Sequence, residues 1–213
     1  MNIIYHPTYK SGSTNKWLCI HHSGGLGLNN FASTQYLTAE NVNQNHKERW
    51  NFKSELGWYG GYNFFINSKG EITQFRKIGE ETAAQKGYNQ NGEVISVCLA
   101  GNFNRLPQTG LLVDKPTQEQ ENALRGLYGA ITRQIGAVKP YNIVPHRFFS
   151  NSSTDCFGTG LPDNWARNTI LDRNTQLNFI QQMLVELMDI LRTLKLKKLG
   201  GSSTPCDKSD LRN

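Results

Sequence analysis

Three features of the sequence predict an α/β fold. Trp17–His22 and Val94–Ala100 are short runs of low polarity, with the length of buried strands. Tyr62–Ile66 and Glu71–Phe75 flank Asn67-Ser68-Lys69-Gly70, the pattern of a hairpin with a tight turn. Leu124, Leu127, Tyr128, Ile131 and Ile135 recur at helical spacing. The chain has 213 residues, enough for one domain or one domain with an appendage. Its formal charge of +6 favours anionic partners such as nucleic acid, a membrane surface or a wall polymer. No finger spacing or interleaving of aromatic and basic residues supports nucleic acid, which is not expected as a partner.

The elements follow in order. Residues 1–16 read as an irregular arm with one short strand at Asn2–Tyr5, and His6 as a surface residue. The strand at 17–22 delivers His21 and His22, whose side chains leave a strand on opposite faces. Thr34–Trp50 is polar with a few apolar positions and reads as a surface helix, with His46 facing solvent or ending the helix. Gly57-Trp58-Tyr59-Gly60-Gly61 is a turn cluster before the hairpin, and Gly70 supplies the positive φ that its turn requires. A polar loop from Arg76 to Gly92 leads to the run at 94–100, which suits a central strand covered on both faces.

Thr117 is the expected N-cap of the best helix, with Gln120 as its capping-box partner and Gly136 at its end. Tyr141–Val144 is short and extended and runs into Pro145 and His146. Residues 147–163 form a polar loop, and a short helix is expected near Trp165. Leu177, Ile180, Leu184, Leu187, Leu191 and Leu194 alternate steps of three and four residues, the mark of a long amphipathic helix ending in lysines. The expected organisation is a domain over 1–171, this helix over 172–199 and a flexible tail over 200–213. No run reaches the length of a membrane span, and no basic segment followed by an apolar run suggests a secretory leader. Cys19 and Cys98 read as buried thiols, Cys156 lies in a polar loop and Cys206 in the tail, so no disulfide framework is expected.

If the strands ending at His21 and before His146 lie near one another, His21, His146 and Cys156 converge. Two imidazoles and a thiolate suit Zn²⁺ with a fourth position left for water. The alternative is a surface His146 and an inert Cys156.

Several motifs then carry a resemblance in order along residues 15–170. They are Leu18-Cys19-Ile20-His21-His22-Ser23, Gly60-Gly61-Tyr62-Asn63-Phe64-Phe65-Ile66 and Lys86-Gly87-Tyr88-Asn89. Val97-Cys98-Leu99-Ala100-Gly101-Asn102-Phe103, Pro116-Thr117-Gln118, His146-Arg147 and Thr154-Asp155-Cys156 complete the set. The chain resembles the zinc-dependent N-acetylmuramoyl-L-alanine amidases, the family that includes phage T7 lysozyme and the peptidoglycan recognition proteins.

The resemblance implies a mixed central β-sheet flanked by helices, to which this chain adds its C-terminal helix. It implies one zinc ion held by His21, His146 and Cys156, with Tyr62 and Thr154 assisting catalysis and His22 as a supporting neighbour. The implied reaction cleaves the amide between N-acetylmuramic acid and L-alanine in peptidoglycan. It further implies a phage or prophage endolysin, made in the host cytoplasm and reaching the wall through a membrane-permeabilising partner. The C-terminal helix is expected to pack on the catalytic domain or to contact anionic wall or membrane surface. The other readings are a recognition module without activity and an amidase of wall recycling. Departures from the pattern are Phe148-Phe149 where the family has an acidic residue after His-Arg, and Ala84-Gln85 where the phage-like pattern has a histidine.

Overall fold

The structure is a computed structural model. It describes residues 6–10, 15–24, 31–84, 93–135, 142–149 and 154–171, together with 184, 185, 187, 188, 190–192 and 194. The chain divides into two compact units, Met1–Leu171 and Asp172–Asn213. The first contains strands β1 (Trp17–His22), β2 (Phe64–Ile66), β3 (Ile72–Gln74), β4 (Val94–Leu99) and β5 (Ile143–Pro145). Its helices are α1 (Ala39–Trp50), α2 (Gln118–Ile135) and α3 (Trp165–Ile170), and a 3₁₀ turn spans His146–Phe148.

The five strands form one mixed sheet in the order β3-β2-β4-β1-β5. β1 runs parallel to β4 and β5, β2 runs parallel to β4, and only the β2–β3 hairpin is antiparallel. β4 is central and buried at every position, which is why its sequence is apolar without alternation. Pro145 is tolerated in the sheet because β5 is an edge strand, where a missing N–H leaves no ladder bond unmade.

Strand alternation divides the core. Leu18 and Ile20 of β1, Val97 and Leu99 of β4 and Phe64 and Ile66 of β2 pack with Leu124, Leu127 and Ile131 of α2 and Ile170 of α3. On the opposite face Phe65 and Cys98 pack with Ala39 and Val42 of α1. Cys19 packs there with Val144 and Phe149. Helix α2 opens with the expected capping box: Thr117 Oγ1 accepts from Gln120 N–H at 3.1 Å, and Gln120 Oε1 accepts from Thr117 N–H at 3.1 Å. The buried Gln120 side chain also donates to the Ala100 carbonyl at 2.8 Å, tying the helix start to the end of β4.

Several expected boundaries move: the strands expected at Glu71–Phe75, Val94–Ala100 and Tyr141–Val144 are Ile72–Gln74, Val94–Leu99 and Ile143–Pro145. The first helix begins at Ala39 rather than Thr34, because Thr38 and Asn41 form a capping box there. The second strand begins at Phe64, so Tyr62 precedes it. Asn63 explains this start: its side-chain oxygen accepts from Ser96 N–H at 2.8 Å and its amide donates to the Lys77 carbonyl at 2.9 Å. Gly70 adopts φ 78° in the hairpin turn, as expected. In the second unit the described residues between 184 and 194 are helical, and Leu184, Leu187, Leu191 and Leu194 are exposed. The expected strand at Asn2–Tyr5, the Lys86–Asn89 motif, Gly136 and Cys206 lie outside the described residues.

Candidate metal centre

The parallel pairing of β1 with β5 places both carboxyl ends at one edge of the sheet, where ligand sites of α/β proteins form. Ile20 stands opposite Pro145 in register, so the next residues, His21 and His146, meet with ring centroids 4.6 Å apart. Cys156 comes back to them from the loop that follows. Its Sγ lies 3.6 Å from His21 Nδ1. The ligand atoms of His21, His146 and Cys156 all lie within 4.8 Å of one another, and no other such group occurs among the described residues.

The donor set fits a tetrahedral transition-metal ion. Zinc bonds of about 2.0–2.1 Å to nitrogen and about 2.3 Å to sulfur put neighbouring N and S ligands roughly 3.6 Å apart, as His21 and Cys156 are. The electrostatics point the same way. Burial lowers His146 to about 4, and burial, then His146 and His22, hold His21 well below the ordinary range. Both rings are therefore neutral at pH 7, the form that ligates a metal. Burial pushes the Cys156 thiol up to about 12, so it stays protonated until a cation arrives. The His22 backbone N–H is hydrogen-bonded to the Cys156 sulfur and, with the nearby Arg147 charge, partly opposes that rise.

His22 points away from the cluster. Its Nδ1 accepts from Phe103 N–H at 3.1 Å, and its ring packs on Phe103 at 5.8 Å. Its side chain thus anchors a loop. Tyr62 lies against the cluster, its ring 5.1 Å from that of His21. Burial first, then Cys98 and Cys156, hold its phenol well above the ordinary range, and it is hydrogen-bonded to the Cys98 thiol. Tyr62 is therefore a neutral phenol at pH 7. Thr154 Oγ1 accepts from Cys156 N–H at 3.2 Å, which occupies a lone pair and leaves the hydroxyl able to donate.

The family model described as N-acetylmuramoyl-L-alanine amidase matches residues 11–159. The chain belongs to this amidase family. Solved structures of the same fold include the endolysin N-acetylmuramoyl-L-alanine amidase LysCS from Clostridium intestinale URNW, at 19% identity and TM-score 0.54, covering 81% of this chain and 93% of that one. The Ph2119 endolysin from the Thermus scotoductus MAT2119 bacteriophage is 15% identical with TM-score 0.52, covering 80% and 92%. Drosophila peptidoglycan recognition protein SD is 19% identical with TM-score 0.51, covering 73% and 83%. No curated protein matches. Family membership and the three-residue cluster together support an amidase-type hydrolytic function on peptidoglycan.

Two arginines support this amidase site, Arg147 from the His146-Arg147 motif and Arg76, which carries no local signal in the sequence. Arg147 donates from its guanidinium to the Gly158 and Leu161 carbonyls at 2.8 Å each and pairs with Asp163 at 2.6 Å. Its backbone N–H donates to the Cys156 carbonyl at 2.8 Å, so one residue ties the Cys156 loop to the turn that carries His146. Arg76, expected only as the start of a polar loop, is fully buried. It donates to the Gly60 carbonyl at 2.7 Å and to the Phe52 carbonyl, and so holds the segment before Tyr62.

His46 also departs from its expectation. It is 2% exposed, not solvent-facing. Glycines at 60 and 61 let the Tyr62 loop close over it: a Cβ at Gly60 would lie 2.0 Å from the Phe75 ring, and one at Gly61 2.8 Å from Trp50.

Proposed function

We propose that the protein is a zinc-dependent N-acetylmuramoyl-L-alanine amidase that cleaves the amide between N-acetylmuramic acid and the L-alanine of the stem peptide. The convergence of His21, His146 and Cys156 at the carboxyl ends of β1 and β5 carries the reading. These three side chains would hold the ion, leaving a position for water and the scissile carbonyl. Bound zinc supplies an activated water and polarises that carbonyl. The chain's own residues supply the remainder. The protonated Tyr62 phenol and the Thr154 hydroxyl are donors for the oxygen that gains negative charge as the carbonyl becomes tetrahedral. Arg147 keeps Thr154 and Cys156 in place by fixing their loop.

The family's recognition modules without activity are the rival reading. A retained ligand cysteine and a tyrosine beside the cluster favour the enzyme. Digestion of purified peptidoglycan by the zinc-loaded protein tests the choice. Mass spectrometry is expected to show new L-alanine amino termini and intact glycan strands, with one zinc per chain by metal analysis. A fully loaded protein that binds several wall types and releases no stem peptide would be a recognition module. Release only from soluble anhydro-muropeptides would favour wall recycling.

The resemblance to phage enzymes supports an endolysin that is made in a bacterial host and reaches the wall through a membrane-permeabilising partner. The apolar stripe and terminal lysines in the sequence of residues 177–198 are then suited to anionic wall or membrane surface. Removing residues 172–213 is expected to leave hydrolysis of soluble muropeptide within about twofold and to slow lysis of whole walls about tenfold or more. Equal rates on whole walls would exclude targeting by the helix.

A further inference from the structure

Helix α1 reaches the loop before β2 with two polar side chains one turn apart. Asn43 Oδ1 accepts from Tyr59 N–H at 2.6 Å, and His46 Nδ1 accepts from Gly61 N–H at 2.8 Å. An imidazole that accepts at Nδ1 is neutral and carries its proton on Nε2. The buried His46 ring lies 4.4 Å from that of Trp50 and 5.4 Å from that of Tyr62, and the far side of the contact is Tyr62 against His21 at 5.1 Å. A continuous series of rings thus joins α1 to the metal-site edge of the sheet. Tyr62 needs such support because it precedes β2 and takes no place in the β2–β4 ladder. On its C-terminal side Asn63 is tied to Ser96 of β4, and on its N-terminal side Gly61 is held between His46, which accepts from its N–H, and Ala83, whose N–H donates to its carbonyl at 3.0 Å.

We propose that His46 is the positioning residue for Tyr62: by holding the Gly61 amide and packing on the Tyr62 ring, it sets where the phenol stands beside the metal centre. The role given to Tyr62 rests on the amidase reading, whereas the contact does not. A donor aimed at developing charge loses about 100-fold in rate when displaced by about 1 Å, so a residue outside the donor set can govern the chemical step.

Two variants separate the parts of the contact. His46→Phe keeps a ring against Tyr62 and removes the acceptor for Gly61 N–H. His46→Asn keeps an acceptor near the Nδ1 position and removes the ring. For His46→Phe we expect full zinc stoichiometry, KM within about twofold, kcat lower by about tenfold or more, faster Gly61 amide exchange and shifted Tyr62 ring resonances. His46→Asn should retain more of kcat and of Gly61 protection.

The decisive comparison is made in a Tyr62→Phe background, where His46→Phe should cost no further rate. An equal loss in both backgrounds, or a parental kcat with Gly61 protection gone, would overturn the proposal. If His46→Phe does not fold, His46→Asn carries the same comparison. If the parent protein itself releases no stem peptide, the amidase reading has failed; the Gly61 exchange and Tyr62 resonances still decide whether His46 places Tyr62, and their constancy would refute it.

Discussion

Cys156→Ser is expected to lower zinc affinity at least about 100-fold and to bring peptidoglycan hydrolysis below detection. The serine hydroxyl does not ionise at neutral pH, so the site would lose its one anionic ligand and keep two neutral imidazoles. Burial already pushes the Cys156 thiol up to about 12, which means that its proton leaves only when the cation compensates the charge. Serine makes that exchange far costlier. The loop should survive the change, because its ties are made by the backbone: Cys156 N–H to Thr154 Oγ1 and the Cys156 carbonyl to Arg147 N–H.

The variant should therefore melt with the parent protein when both are stripped by chelator. Only the parent should gain stability on adding zinc, by the logarithmic dependence on free metal that linkage requires. Competition with a fluorescent chelator and metal analysis check the affinity. Zinc occupancy equal to that of the parent at limiting metal would remove Cys156 from the ligand set.

A site is legible in a sequence as far as its signals are local. His21 and His22 sit at the end of an apolar run, and alternation alone requires that they face different ways; in the structure one joins the cluster and the other anchors Phe103. The Thr117–Gln120 capping box and the Gly70 turn are equally local, and both stand where expected.

The meeting of His146 with His21 depends on β5 pairing with β1 across more than a hundred residues, which periodicity does not encode. Family resemblance supplies that adjacency. His46 departs from its expectation for a related reason. Helix α1 is polar along most of its length and buries only Ala39, Val42 and His46. What covers His46 is the Gly60-Gly61-Tyr62 loop and the Trp50 ring of its own helix, not an apolar stripe on α1, so no hydrophobic pattern marks the residue as internal. Arg76 is similar: carbonyls of Gly60, Phe52 and Glu81 surround it, and backbone carbonyls leave no trace in residue type.

Tyr62→Phe is expected to leave zinc bound and to lower kcat by about 100- to 1,000-fold with KM nearly unchanged. The phenol is held well above its ordinary range by burial and by the Cys98 and Cys156 thiols, so at pH 7 it offers a proton and no negative charge. A donor of that kind acts where the carbonyl oxygen gains charge, which is a feature of the transition state and not of the bound substrate. Its loss should therefore appear in kcat. The ring itself remains in the variant and keeps its packing on His21 and His46, at 5.1 and 5.4 Å in the parent, so metal affinity should hold within about twofold. Thr154 is a neutral hydroxyl and a weaker donor than an ammonium would be, so it cannot take over the load. A rise in KM with kcat intact would make Tyr62 a substrate-binding residue instead, and loss of zinc would make it a buttress for His21.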